Sequence, residues 1–392
     1  MSWPMVKLTE VAEVNPRCPK DVDEDQLVSF VAMASASEEG LLLNEESRVL
    51  KDTKKGFTYF ERGDVLLAKI TPCFENGKSL RPYQISNKVG FGSTEFHVLR
   101  ANMDKLDPTY LFYMVWNDAF RFIGTNAMAG AAGQKRVGTP FLKQLEIPLP
   151  PLAEQKRIAA ILDKADAIRQ KRKQAIDLAD EFLRSVFLDM FGDPVTNPKG
   201  WEVKACKDLF KRITVGIVVK PSSYYVESGV PALRSLNIGY YGIRSENLVY
   251  VSKSDNESIL SKTRVYEGDL VIVRSGQPGK TAVVCKEFDG VNAIDILIAT
   301  PKEELIDPQF FAFFMNSEGG KKIVLAEQRG QVQKHFNVGS LNSTAIPLPP
   351  LSLQRTFAEI VATVYGKYQT NKVTEFNEIF NSISQKAFSG QL

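Results

Sequence analysis

Ile147-Pro148-Leu149-Pro150-Pro151-Leu152 recurs without change as Ile346-Pro347-Leu348-Pro349-Pro350-Leu351, 199 residues further along the chain. Three prolines in six positions fix the backbone, so the same exit from a folded region is built twice. Other pairs keep nearly the same offset. Trp3 matches Trp201, Gly63-Asp64 matches Gly268-Asp269, and Glu95 matches Asp295. Asp107-Pro108 matches Asp307-Pro308, Gln134-Lys135 matches Gln333-Lys334, and Gln155 matches Gln354. The chain is therefore an internal duplication, and each half must be read as one copy of a common plan.

In each half a strand-rich region comes first, the proline hinge follows, and a long helical pattern comes last. After the first hinge, apolar or small residues recur at Ile158, Leu162, Ala165, Ile176, Ala179, Leu183, Val186 and Met190, with a polar interruption at Arg169 and Arg172. Steps of three and four residues make a helix-packing stripe of coiled-coil type, and Gly192-Asp193-Pro194 ends it. The second stripe runs through Phe357, Val361, Val364, Tyr368, Phe376, Ile379, Ile383 and Ala387, with one slip near Asn371. Each helix is about 35–40 residues, roughly 50–60 Å. Burying both stripes predicts two antiparallel helices packed on each other. The alternative is two unrelated helices, each in its own domain. The expected fold is α+β. Two strand-rich globular domains, residues 1–150 and 194–349, are joined by helices 151–193 and 350–392 with a pseudo-twofold internal repeat.

The composition is that of a soluble globular protein, with 44% hydrophobic and 24% charged residues among 392. A formal net charge of +3 permits a nucleic-acid partner without arguing for one. No apolar run approaches the roughly 18 residues of a membrane span, and the N-terminus lacks the pattern of a secretory signal. The four cysteines, Cys18, Cys73, Cys206 and Cys285, are dispersed and fit a reducing cytoplasm better than a disulfide framework.

Motifs that resemble catalytic signatures do not hold together. Arg274-Ser275-Gly276-Gln277-Pro278-Gly279-Lys280-Thr281 is too short for a phosphate-cradling loop, because Arg274 stands where the first glycine is needed. A tight turn carrying polar side chains is the better reading. Asp107-Pro108 and Asp307-Pro308 are explained as helix N-caps with proline at the first helical position. Glu202-Val203-Lys204 has a nuclease-like spacing but reads as alternation in a short strand. With only His97 and His335, no histidine–cysteine–carboxylate set has zinc spacing, and no hydrolase triad can be assembled. The loops Gly130–Arg136 and Arg329–His335 occupy equivalent places. Both combine small residues with Gln, Lys or Arg, side chains suited to bases and phosphates. Lys156, Arg157, Lys164, Arg169, Lys171, Arg172 and Lys173 crowd the first helix, as a solvated face or as a face toward phosphates or a partner.

Two heads, each ending in the Ile-Pro-Leu-Pro-Pro-Leu hinge with a glutamine just beyond it and then a long helix, resemble the specificity subunit of Type I restriction–modification systems. Pro148 to Ile158 is similar to the start of that family's central helix, and Phe191-Gly192-Asp193-Pro194 through Trp201 to the passage into its second target-recognition domain. Gly63–Pro72 and Gly92–Phe96 look like recurring elements of one group of such domains. The resemblance covers essentially the whole chain. One departure is Leu351-Ser352-Leu353-Gln354, which lacks the Glu before its Gln.

The resemblance implies a non-catalytic DNA-reading subunit, each head reading half of a split, asymmetric site. The helices would set the gap and hold two methyltransferase subunits, to which restriction subunits add. The subunit would need no cofactor or metal of its own, since methyl donor, ATP and magnesium belong to those partners. On this reading the candidate DNA-contacting residues are Lys69, Lys78, Gln134, Lys135, Arg136, Arg234, Arg274, Gln277, Lys280, Gln331, Gln333 and Lys334. The competing reading is a non-DNA scaffold with two heads on a coiled-coil spacer.

If helix length is the ruler, inserting about four residues near Gln174 adds roughly 6 Å. The gap should then lengthen by about one or two base pairs, with both half-sites unchanged. Sequencing the methylated sites of the insertion variant checks this; an active variant that keeps the original gap would remove the helices as ruler.

Overall fold

A computed structural model describes residues 3–131, 133–240, 242–326, 336–368 and 371–392. The chain divides into two compact units, Met1–Lys171 with Glu375–Leu392, and Arg172–Thr374. The fold is α+β, and the duplication is carried through to the strand order of the first sheet of each unit.

In the first unit, Met5–Lys7 pairs antiparallel with the hinge strand Glu146–Pro148. One four-stranded sheet has the order Ala12–Val14, Phe96–Ala101, Val65–Ala68, Ser79–Leu80, and another has Glu46–Val49, Leu27–Val31, Val89–Gly92, Thr58–Glu61. In the second unit, Glu202–Ala205 pairs with the hinge strand Ala345–Leu348. Its first sheet runs Phe210–Val215, Ile296–Pro301, Leu270–Val273, Thr281–Val283, in the same sequential logic. The other runs Tyr225–Val226, Val249–Val251, Val230–Leu233, Asn292–Ala293. The second sheet of each unit contains a single parallel pairing, Leu27–Val31 with Val89–Gly92 and Val230–Leu233 with Asn292–Ala293.

The central strand of the first sheet in each unit, Val65–Ala68 or Leu270–Val273, is buried on both faces, which explains why it reads as a continuous apolar run. In Leu270–Val273, Leu270 and Ile272 join the core beneath the helices, whereas Val271 and Val273 join the core toward the second sheet. Val65 and Leu67 are separated from Leu66 and Ala68 in the same way in the first unit. A strand's period of two thus serves two cores at once.

The turn before each central strand is held by its aspartate. Asp64 accepts from the Glu61 amide (2.7 Å) and from both ends of the Arg100 guanidinium (2.8 and 2.7 Å). Asp269 accepts from the Tyr266 amide (2.9 Å), from Arg212 (2.8 Å) and from the Thr300 hydroxyl (2.6 Å). Arg100 faces Glu13 across the ladder, and Thr300 faces Arg212. The arginine that neutralises the buried aspartate therefore comes from a different strand in each copy.

Each first sheet is covered by an aromatic helix, Pro108–Trp116 or Pro308–Asn316. Asp107 caps the amides of Thr109 and Tyr110, and Asp307 those of Gln309 and Phe310, so both Asp-Pro pairs are helix starts. On the far side lie the long helices. Leu152–Phe191 is one continuous helix, and the distal stripe is divided into Leu351–Tyr368 and Asn371–Ser389. In the first unit Ile158 and Leu162 share a core with Phe380 and Ala387, and Arg157 donates to the Leu392 carbonyl (3.1 Å). In the second unit Phe187 and Phe191 each lie 5.5 Å from Phe357, and the Tyr365 hydroxyl donates to Asp180 (3.2 Å). Within each unit, then, the helix segments run antiparallel. Ile379, expected in the stripe, is about half exposed.

The crowding of cations on the first helix is partly internal. Asp166 is fully buried and accepts from Arg81 (2.8 Å), Arg169 (2.6 Å) and Gln170 (2.6 Å). Arg157 pairs with Glu154 (2.8 Å). In the second copy Leu353 stands where Glu154 does, and it packs against the core instead.

The glutamine beyond each hinge is buried and saturated. Gln155 accepts from the Asp107 amide (2.8 Å) and donates to the carbonyls of Lys105 (2.9 Å) and Pro150 (2.8 Å). Gln354 accepts from the Asp307 amide (2.9 Å) and donates to Leu305 (3.2 Å) and Pro349 (2.8 Å). Replacing Gln155 with Ala strands one amide and two carbonyls in a dry site, at about 1–3 kcal/mol for each group that water does not reach. A denaturant titration of Q155A should show a loss of at least about 2 kcal/mol, and an unchanged midpoint would show that the latch is dispensable.

Candidate nucleic-acid interface

The sequence-predicted residues of the first unit fall in two places. Lys69 follows the central strand Val65–Ala68, and the loop carrying Gln134, Lys135 and Arg136 lies against it. The Thr71 amide donates to the Lys135 carbonyl (3.0 Å) and the Val137 amide to the Lys69 carbonyl (2.9 Å). Gln134 and Lys135 are exposed and Arg136 is half-buried. Arg136 is engaged, with its guanidinium on Glu95 at 2.8–3.2 Å. Those bonds hold the Glu95 carboxyl below its ordinary range. Lys78 is not part of this group. Its ammonium points to the Met33 carbonyl (3.4 Å).

His97 positions the loop. Its Nε2 donates to the Val137 carbonyl (2.8 Å), and its Nδ1 lies 3.2 Å from the Asn15 amide nitrogen. Asn15 also accepts from the Val98 amide (3.0 Å), which orients its side chain. Burial disfavours the imidazolium and pushes the His97 pKa down. This histidine is a structural strut.

In the second unit Arg274 follows the central strand Leu270–Val273, as Lys69 follows its own. Asp295, the counterpart of Glu95, accepts from Arg274 (2.5 Å). The Phe336 amide donates to the Arg274 carbonyl (3.0 Å), the counterpart of the Val137–Lys69 bond. Each copy therefore holds an arginine on an acid beside its central strand, drawn from different loops. Gln277 is exposed at the tip of the same turn, and Lys280 is half-buried where the chain re-enters the sheet. The turn leads into the strand Thr281–Val283 rather than a helix, so it has no helix N-terminus to bind nucleotide phosphates. Arg234 lies on another loop, donating to the Asn247 carbonyl (2.6 Å). The Nε atoms of Arg234 and Arg274 are buried with no hydrogen-bond partner among the described residues. Gln331, Gln333 and Lys334 lie outside the described residues.

Arg244 and Lys321 were missed by the sequence reading, yet the fold brings both beside Lys280. The repeat offset that matches Lys321 to Arg121 was the available signal. Elsewhere, Lys204 is 3.3 Å from Glu202 within one strand, which accounts for the nuclease-like spacing. Among the described residues no group of three or more His, Cys, Asp or Glu side chains could hold a metal, and no helix is long and apolar enough to cross a membrane.

With this geometry, comparison with known proteins is decisive about class. Residues 2–178 and 198–381 both match the family model described as Type I restriction modification DNA specificity domain, and the chain belongs to that family. Over 189 residues it is 36% identical to the EcoAI specificity subunit of Escherichia coli, covering 47% of this chain and 32% of that protein. It is 28% identical over 319 residues to the putative MjaX specificity subunit of Methanocaldococcus jannaschii, covering 76% and 70%. The aligned stretches span about a third of the first relatives' own length. The crystal structure of a Type I restriction-modification S subunit from M. genitalium shares the fold, with a TM-score of 0.59 at 14% identity over 98% of this chain and 96% of that one.

Because the His97 pKa is lower folded than unfolded, its stabilisation is complete above the unfolded value. It is lost as pH falls from about 6.5 toward the folded value. Thermal melts should therefore drop across this window in the native chain. H97Q should flatten that part of the profile, and identical profiles would show that the imidazole titrates alike in the folded and unfolded states.

Proposed function

We propose that this chain is the DNA-reading subunit of a Type I restriction–modification enzyme, working in the cytoplasm and doing no chemistry itself. Residues 1–150 and 194–349 act as the target-recognition domains, and helices 151–193 and 350–392 connect them. Each domain reads one half of a bipartite, asymmetric site in double-stranded DNA. The helices hold two methyltransferase subunits, to which restriction subunits add.

The observation that carries this reading is the repeated edge beside the central strand. Each unit puts a cation there, Lys69 or Arg274, and an acid-held arginine, Arg136 or again Arg274. In the first unit a loop with exposed Gln134 and Lys135 completes the edge. Lysine suits the phosphates and glutamine can bond adenine at its N6 and N7 edge. Support for protein partners comes from Leu178 and Phe182, one turn apart on the central helix and each more than half exposed.

Exchanging residues 1–150 for the matching domain of a relative should change one half of the methylated sequence and leave the other intact. A change in both halves would defeat the modular reading. In the assembled enzyme K135A should reduce the salt dependence of DNA binding by about one in slope. Q134A should lose about 1–3 kcal/mol of discrimination at one base pair. Unchanged binding curves for both would remove this loop from the interface.

A further inference from the structure

We propose that Lys280 and Lys321, gathered at the ring of Tyr240, form with the neighbouring Arg244 a phosphate-binding site in the second unit that takes a backbone phosphodiester of DNA, and that the first unit has no working counterpart. This rests on the DNA-reading function above.

Three separate segments build the site. Tyr240 and Arg244 lie on the loop before Val249–Val251, Lys280 ends the turn after Leu270–Val273, and Lys321 is on the helix Glu318–Ala326. The ammonium groups of Lys280 and Lys321 each lie 4.8 Å from the Tyr240 ring centroid. One electron-rich ring thus attracts both like charges, which offsets their repulsion. Asn316 fixes the arrangement. Its amide donates to the carbonyls of Thr281 (2.8 Å) and Tyr240 (3.4 Å), and its oxygen accepts from the Thr281 amide (3.0 Å).

Among the described residues, none of the three cations has a carboxylate within ion-pair distance. Burial, Arg244 and Lys321, in that order, push the Lys280 pKa down, as expected for an uncompensated cluster. Asp180 and Arg184 line the adjoining recess with Tyr240 and Lys321, and Asp180 accepts from the Tyr365 hydroxyl (3.2 Å). Holding three cations this close disfavours the free protein, and an anion with several acceptor oxygens relieves it.

The first unit supplies an internal comparison. Ser79 and Thr281 correspond, since each hydroxyl donates to the carbonyl two residues earlier at 2.9 Å. Trp116 donates to the Glu38 carbonyl as Asn316 donates to that of Tyr240. The counterparts of Tyr240, Lys280 and Lys321 are therefore Glu38, Lys78 and Arg121. There the charges are matched: Arg121 pairs with Asp118, Asn76 donates to Glu38 (2.9 Å), and Lys78 points to the Met33 carbonyl. The same framework carries a neutralised site in one copy and an open cationic one in the other.

The test uses the chain assembled with its methyltransferase partners on duplex DNA carrying its site, with dissociation constants measured over a salt series. R244Q/K321Q should weaken binding about tenfold at moderate salt and lower the salt slope by about one. R244K/K321R should keep the native slope. R121Q, at the equivalent place in the first unit, should leave it unchanged, and melting temperatures verify that all variants are folded. Inorganic phosphate at constant ionic strength should not reduce the native affinity. A native complex without salt-dependent DNA binding would overturn the DNA-reading function itself. Native binding with an unaltered slope in R244Q/K321Q would overturn this site alone. Loss of native affinity to the R244Q/K321Q level in millimolar phosphate would make the ligand a free anion rather than DNA.

Discussion

One buried side chain in each copy, Gln155 or Gln354, is the joint on which the rest depends. A glutamine amide has a donor end and an acceptor end, and here both are used in a dry setting. The oxygen takes the amide of the aspartate that caps the aromatic helix, and the nitrogen ties the carbonyl before that helix to a hinge carbonyl. The hinge prolines cannot donate from their own nitrogens, so the chain there has few ways to hold itself. The glutamine supplies the missing bonds and fixes where the long helix leaves the head. Glutamate would bring an unpaired charge among carbonyls, and leucine would leave three polar groups unmet. That is a physical reason for both copies to keep the residue while Glu154 gives way to Leu353.

From that joint the heads are built outward in layers. Aromatic side chains on Pro108–Trp116 and Pro308–Asn316 fill the space toward the sheet, as in the contact of Phe311 with Phe210, and toward the long helix, as in the contacts of Phe310 with Phe187 and Phe191. The first sheet then divides its residues between two cores, and the second sheet closes the outer one. Polar side chains at the ends of the central strands are left at the edge, held by struts such as His97 and by pairs such as Arg136–Glu95 and Arg274–Asp295. Their rigidity comes from the layers beneath, not from the loops that bear them.

The duplication, the helix caps and the helix start at Leu152 were legible because they rest on local chemistry: proline spacing, Asp-Pro pairs and a three-and-four period. The α+β class followed from them. Ile379 was misjudged because periodicity marks a face without saying what covers it. The partners of the charged candidates were not legible either. Nothing near Arg136 in sequence points to Glu95, and Lys280 meets Arg244 and Lys321 only through the sheet and the aromatic helix. Gln331, Gln333 and Lys334 lie outside the described residues, so for them the sequence remains the whole argument.

The aspartate before each central strand has a consequence for how such chains can be shuffled by recombination. Asp64 draws its arginine from the strand Phe96–Ala101, whereas Asp269 draws its own from Phe210–Val215. A crossover inside a head that joined the Glu13 strand of one copy to the Thr300 strand of the other would leave the aspartate with no counter-ion. The reciprocal product would set two arginines against one acid. A crossover at the identical hinges mixes no such pair and keeps each glutamine with a matching set of carbonyls. Breakpoints that separate these two strands are therefore disfavoured, whereas the hinges offer seams that leave the aspartate pairs intact.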